Sequence, residues 1–171
     1  MGQLKMMVER QDDTSPAFTT IARGDAARLS GPGLRSFLAI ADAWGLSERE
    51  RLGALGEPPR STYHQWVRKA RAHGALSLPF DTLLRLSAII GVYKALVILF
   101  QEQSQAMEWL RGPHAGTVFR GAPPLVFIVE GALDGIMTVR RYLDAWRGGD
   151  VGAGAVEGSF EPVGEGDVVF A

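Results

Sequence analysis

The 171-residue chain contains no cysteine. That excludes disulfides, zinc–thiolate centres and cysteine nucleophiles. Histidine is almost as scarce: His64, His73 and His114 are the whole set, and no HExxH spacing joins any of them. A Ser–His–Asp arrangement needs partners that converge in space, and nothing in the order of residues brings such partners together. No metal, no cofactor and no catalytic activity are expected. The N-terminal run MGQLKMMVERQDD lacks the apolar core of a secretory leader. The most apolar stretch, Leu83 to Phe100, carries Arg85 and Lys94 inside it. Charges are costly at a bilayer centre, so this stretch reads as a buried helix rather than a membrane span, and a cytoplasmic location is expected. Alternating strand patterns are missing from the body of the chain, which makes the expected fold class all-α.

What is present is an uneven distribution of charge. Lysine and arginine total 18 against 19 acidic residues, for a net charge of -1. Yet residues 60–80, RSTYHQWVRKARAHGALSLPF, hold Arg60, Arg68, Lys69 and Arg71 with no carboxylate. Local clustering of this kind, more than net charge, marks a surface that meets phosphates. Tyr63, Trp66, Val67 and Ala70 recur at helical spacing and define an apolar face. Ser61, His64, Gln65, Arg68 and Lys69 then face the other way. One face for the protein's own core and one polar, basic face is what a DNA-recognition helix requires. A solvated basic helix of no special function has the same pattern. The final residues, 150–171, are acidic and glycine-rich, with Phe160, Val163 and Val168 to Phe170 as apolar points.

Residues 1–29 show no sustained period and read as a flexible arm. Helix signals start near Ser30, read as a cap, with Pro32 in the first turn. Gly45 stops that helix. Ser47 and Glu50 form a capping box for the next, SERERLGALG. GEPPR is a rigid turn, and Ser61 is read as the cap of the basic helix, which Gly74 closes. Helix, short helix, tight turn and basic helix match a helix-turn-helix order. Residues 80–100 are apolar on all sides, as in a central helix, and Gly91 within them suits a close helix crossing. A short helix ends at Leu110, RGPHAGTVFRGAPP is a loop, and Pro123 or Pro124 opens a helix broken by Gly131. The last helix, about Leu133 to Arg147, is stopped by Gly148 and Gly149.

Read together, FLAIADAWGLS, STYHQW, FDTLLRLSAIIGVYKAL, the WLRGP turn, PPLVFIV and VRRYLDAWRGG resemble, in order and spacing, the Xre/MbcA/ParS antitoxin family. The resemblance covers roughly Leu29 to Gly149. It implies an Xre-like helix-turn-helix domain over residues 30–100, with its long central helix, and a toxin-binding domain over 101–149. The implied partner is a RES-domain toxin that consumes NAD⁺; operator DNA is the second. The chain departs from the family's pattern at Ala122, where a hydroxyl residue usually caps the following helix.

The candidate DNA-binding residues are Arg60, Ser61, Thr62, His64, Gln65, Arg68, Lys69 and Arg71. The candidate toxin-binding residues are Arg140, Arg141, Trp146, Arg147, Gly148 and Gly149. Trp44 and Trp66 suit the core, whereas Trp146 beside Arg147 suits an interface anchor. Arg140 and Asp144, four apart, also suit an ordinary intrahelical ion pair. A homodimer is expected, because DNA half-sites come in pairs. The acidic tail reads either as a solvating appendage or as a segment covering the toxin's pocket. Truncation after Asp134 is expected to leave a folded DNA-binding part. The alternative function is a stand-alone helix-turn-helix regulator without a toxin.

Overall fold

The computed structural model describes residues 25–148. The expectations for the arm up to residue 24, for Gly149 and for the acidic tail lie outside those residues. Within them the chain forms seven helices and no strand: α1 (Ala26–Ala43), α2 (Glu48–Ala54), α3 (Arg60–Arg71), α4 (Phe80–Leu99), α5 (Gln103–Arg111), α6 (Pro124–Glu130) and α7 (Ala132–Gly148). The all-α class follows.

Helix α1 begins earlier than expected. Ser30 is not a cap; it is fully buried in the second turn, and Pro32 lies inside the helix. The Ser30 hydroxyl donates to the Ala26 carbonyl at 2.6 Å and accepts the Leu78 amide at 2.9 Å. One side chain thus ties α1 to the segment that leads into α4. The hydroxyl is recruited by a buried amide with no other partner, a tertiary demand that local sequence does not reveal. Ser61 is not a cap either: Pro59 occupies the N-cap of α3, and Arg60 is its first residue. Proline has no N–H to satisfy, so it enters a helix without loss. The capping box of α2 is present, with the Ser47 amide and hydroxyl both donating to the Glu50 carboxylate at 2.7 Å. Gly45 adopts φ +63° where α1 stops. At the end of α3 the left-handed residue is His73, one before Gly74, and the Gly74 amide closes back onto the Lys69 carbonyl.

The core is continuous. Leu34, Phe37 and Ala41 of α1, Leu86, Ile89 and Val92 of α4 and Ile136, Val139 and Leu143 of α7 are buried in one core, with α4 packed against both α1 and α7. α4 is therefore shared between the two ends of the chain. Its centrality is incomplete, however: Tyr93, Val97 and Ile98 are exposed, the last two by about 60%. By length and composition α4 could cross a membrane, but half of it is buried inside the fold. Gly91 has the anticipated use, since the Arg140 guanidinium of α7 lies where its Cβ would stand. Truncation after Asp134 would take Ile136, Val139 and Leu143 out of the core, and the packing argues against a folded remnant.

Candidate functional site

The helix-turn-helix is α2, the turn through Gly56 to Pro59, and α3. Gly56 adopts φ +88°, and the Glu57 amide bonds the Leu52 carbonyl, which ends α2 abruptly. Arg85 of α4 lies beneath the turn, 92% buried, its Nε donating to Asp81 at 2.6 Å. The Arg35 guanidinium donates to the Ala70 carbonyl at 3.1 Å and so binds the end of α3 to α1. α3 is thereby tied to α1 at its end and, through Arg60 and Glu48, to α2 at its start, which is what presentation of one face to a ligand needs.

That face is polar and basic, in line with the spacing. Tyr63 and Ala70 are buried, and Trp66 and Val67 are half-buried against the core. Arg60, Ser61, His64, Gln65, Arg68, Lys69 and Arg71 are exposed, and Thr62 is half-exposed. The eight candidates are not equivalent. Arg60 Nε donates to the Glu48 carboxylate at 2.7 Å, and His64 stands 3.6 Å from the same group. The N-terminal end of α3 is thus partly neutralised by α2. Arg68, Lys69 and Arg71 have no ion-pair partner among the described residues, so the net positive potential lies toward the C-terminal half of α3. Sequence reasoning missed Glu48; its signal was an acidic first turn one short helix upstream.

At the other end, α5, the following loop, α6 and α7 enclose an aromatic cluster. Trp109 stacks on Tyr142 with centroids 6.0 Å apart and meets Phe119 edge-on at the same distance. Phe119 lies 4.9 Å from Tyr142 and 5.4 Å from Phe127. His114 bonds the Trp109 carbonyl at 2.7 Å. Burial pushes the Tyr142 hydroxyl to a higher pKa than usual. Phe119 is the fully buried centre of a stretch read from sequence as a plain loop. Arg111 also went unnoticed; it reaches back to the Trp44 carbonyl at 2.7 Å and holds the end of α1. α6 starts at Pro124 with no side-chain cap, as Ala122 and the doubled proline implied.

The toxin-binding candidates line the last turns of α7. Arg140 is half-buried and 3.6 Å from Asp144, the intrahelical pair anticipated. Arg141 is exposed and 3.7 Å from Asp134. Arg147 is exposed, 3.4 Å from Asp144. Trp146 is 39% exposed and meets Phe100 edge-on at 5.7 Å. Gly148 is the exposed last residue of α7. Trp146 is thus an aromatic held by Phe100, Trp109 and Tyr142 with about two-fifths of its surface open, the form of a preorganised contact residue. Among the described residues no cluster of His, Asp or Glu could hold a metal ion.

A helix-turn-helix with an exposed basic face, followed by a helical part with an aromatic heart, defines a two-part binding protein. Comparison with known families agrees. Residues 23–91 match the antitoxin Xre-like helix-turn-helix domain, and residues 95–149 match the antitoxin Xre/MbcA/ParS C-terminal toxin-binding domain. The chain belongs to the Xre/MbcA/ParS antitoxin family. It is 40% identical over 136 residues to the "uncharacterized protein y4oB" of Sinorhizobium fredii (strain NBRC 101917 / NGR234), covering 80% of this chain and 99% of that relative. No solved structure matches the chain. Both matched domains belong to families that are in general binding proteins rather than enzymes.

Proposed function

We propose that this Xre-family antitoxin acts in the cytoplasm, binding and occluding a RES-type, NAD⁺-consuming toxin and repressing its own operon through operator DNA. The observation that carries the reading is the pairing of two surfaces on one framework. Arg68, Lys69 and Arg71 stand exposed on α3, and Trp146, Arg147 and Gly148 stand exposed at the end of the part that matches a toxin-binding domain. The basic face supplies phosphate contacts, and the residues nearer the N-terminus of α3, Ser61, Thr62, His64 and Gln65, supply base contacts. Two copies, one per half-site, bind a two-fold operator. Occlusion needs no chemistry from this chain. It needs Trp146 and Arg140, Arg141 and Arg147 as anchors, with the glycines Gly148 and Gly149 allowing close backbone approach.

Co-expression tests this reading. The chain is produced with a RES-domain toxin, and cellular NAD⁺ is measured. Protection of NAD⁺, lost in Trp146→Ala, supports it. Failure of the two proteins to co-purify overturns the antitoxin half. If promoter binding then persists, the chain is a stand-alone helix-turn-helix regulator.

A further inference from the structure

The C-terminal half of α4 presents a face that nothing in the chain covers among the described residues. Tyr93, Lys94, Val97 and Ile98 fall on neighbouring turns of one side of the helix, and all four are exposed. Val97 and Ile98 are open by 59% and 60%, and Tyr93 by 38%. The face borders a groove of about 220 Å³ between α4, the start of α5 and Trp44, floored by Leu96, Phe100 and Met107. Beta-branched side chains left open beside an apolar groove form the kind of contiguous patch that marks an interaction site. Basic residues are absent from the groove wall, and Glu102 is its one acid.

We infer that this face is a homodimer interface, in which the stripe of Tyr93, Val97 and Ile98 on one copy seats against the same stripe on a second copy. Charge complementarity identifies the occupant. Lys94 stands at the N-terminal side of the stripe, and Glu102 stands beyond its C-terminal end. Neither is in an ion pair among the described residues. The helical rise from Lys94 to the end of α4 is about 8 Å. A patch with a cation at one end and an anion at the other is complementary to itself when rotated by a two-fold axis through its middle. Lys94 of each copy then faces Glu102 of the other, and the apolar stripes cross between them. Isologous pairing of this kind closes after two copies. The inference rests on the homodimer of the proposed function and names the surface that forms it, separately from whether the dimer meets DNA.

Sedimentation velocity on the full chain, without DNA or toxin, tests it. Wild type should be a dimer at micromolar concentration. Val97→Glu places an acid twice in the centre of the interface and should raise the dimer dissociation constant at least about tenfold. Lys94→Glu should weaken the dimer on the order of tenfold by setting like charges opposite. The double variant Lys94→Glu, Glu102→Lys should recover to within about threefold of wild type, the signature of a direct pair. All three positions are exposed, so circular dichroism should report unchanged folding. A dimer indifferent to Val97→Glu and Lys94→Glu refutes this surface while leaving a dimer in place. A monomer at every concentration refutes both surface and dimer. The NAD⁺ protection assay judges the antitoxin reading independently of either result.

Discussion

Neutralising Arg68 and Lys69 together, as Arg68→Gln with Lys69→Gln, separates a phosphate-binding helix from a merely solvated one. Both side chains are exposed and outside any ion pair among the described residues. Their loss should move the melting temperature by no more than about 2 °C, since exposed substitutions away from caps and networks stay within about 0.5 kcal/mol. The effect on DNA should be large and of a particular form. Each phosphate contact contributes a slope of about -0.9 in log affinity against log salt. Two lost contacts reduce the slope by about 1.8 per chain, or about 3.6 for a dimer on two half-sites. Between 50 and 200 mM salt, wild type should therefore lose roughly tenfold more affinity per chain than the variant. Fluorescence anisotropy with a labelled promoter fragment, titrated across potassium chloride, measures this directly. Random-sequence DNA should show the same change of slope, because phosphate contacts carry no sequence information. Arg60→Gln is the internal comparison. Its guanidinium is engaged by Glu48, so its slope change should be less than half of one ordinary contact. Equal slopes for wild type and the double variant would remove α3 from the DNA interface.

Four further outcomes are expected. Ser30→Ala deletes the acceptor of a buried amide and should cost about 1–3 kcal/mol in urea unfolding; Ser36→Ala, exposed on the same helix, is the control, and equal stability of the two would refute the bridge between α1 and Leu78. Trp66→Ala should cost about 2–3 kcal/mol, at or below the low end of the range for a fully buried tryptophan, because the ring is half-buried; a wild-type melting curve with lost DNA binding would make it a surface residue. Trp146→Ala should lower the melting temperature, since the ring packs on Phe100, Trp109 and Tyr142, and should abolish NAD⁺ protection at temperatures where the variant is still folded; retained protection would move the toxin contact elsewhere. Hydrogen bonds from the Ser47 hydroxyl and amide hold the Glu50 carboxyl below its ordinary pKa. A depressed folded-state value stabilises above the unfolded pKa and is lost as pH falls through the folded value. Unfolding free energies of wild type and Glu50→Ala should therefore differ at neutral pH and converge in acid; a constant gap would show that the carboxylate charge contributes nothing.

Local patterns in the sequence were legible wherever one helix decides its own fate. The Ser47–Glu50 capping box, the Gly45 stop, a proline at the start of α6 and the apolar face of α3 all follow from spacings within a turn or two. Features set by distant partners were not legible. Ser30 was read as a cap because serine before an apolar run usually is one, whereas the Leu78 amide 48 residues away claims its hydroxyl. Ser61 lost the cap position to Pro59 for want of any sequence signal that distinguishes the two. α4 reads from sequence as buried on all sides because hydropathy does not report which neighbours arrive, and among the described residues none covers Val97 or Ile98. At the candidate site, the exposure of the basic residues followed from the helical wheel. The claim of Glu48 on Arg60 and His64 did not, because it depends on how α2 crosses α3. The aromatic cluster around Phe119 joins residues from four separate stretches and has no local signature.

The shared use of α4 bears on how such a protein is removed. Most two-part chains can lose one half to a protease and keep the other working. Here one helix is the wall of both rooms: α1 and α7 both lean on it. Stripping α7 would uncover the part of α4 that meets it around Gly91, and loosening α1 would uncover Leu86, which meets Gly33. Opening of either end should then propagate to the whole as a single cooperative event. Under the function proposed above, a cell that degrades this protein would release promoter and toxin together, with no lasting stage at which one is held and the other free.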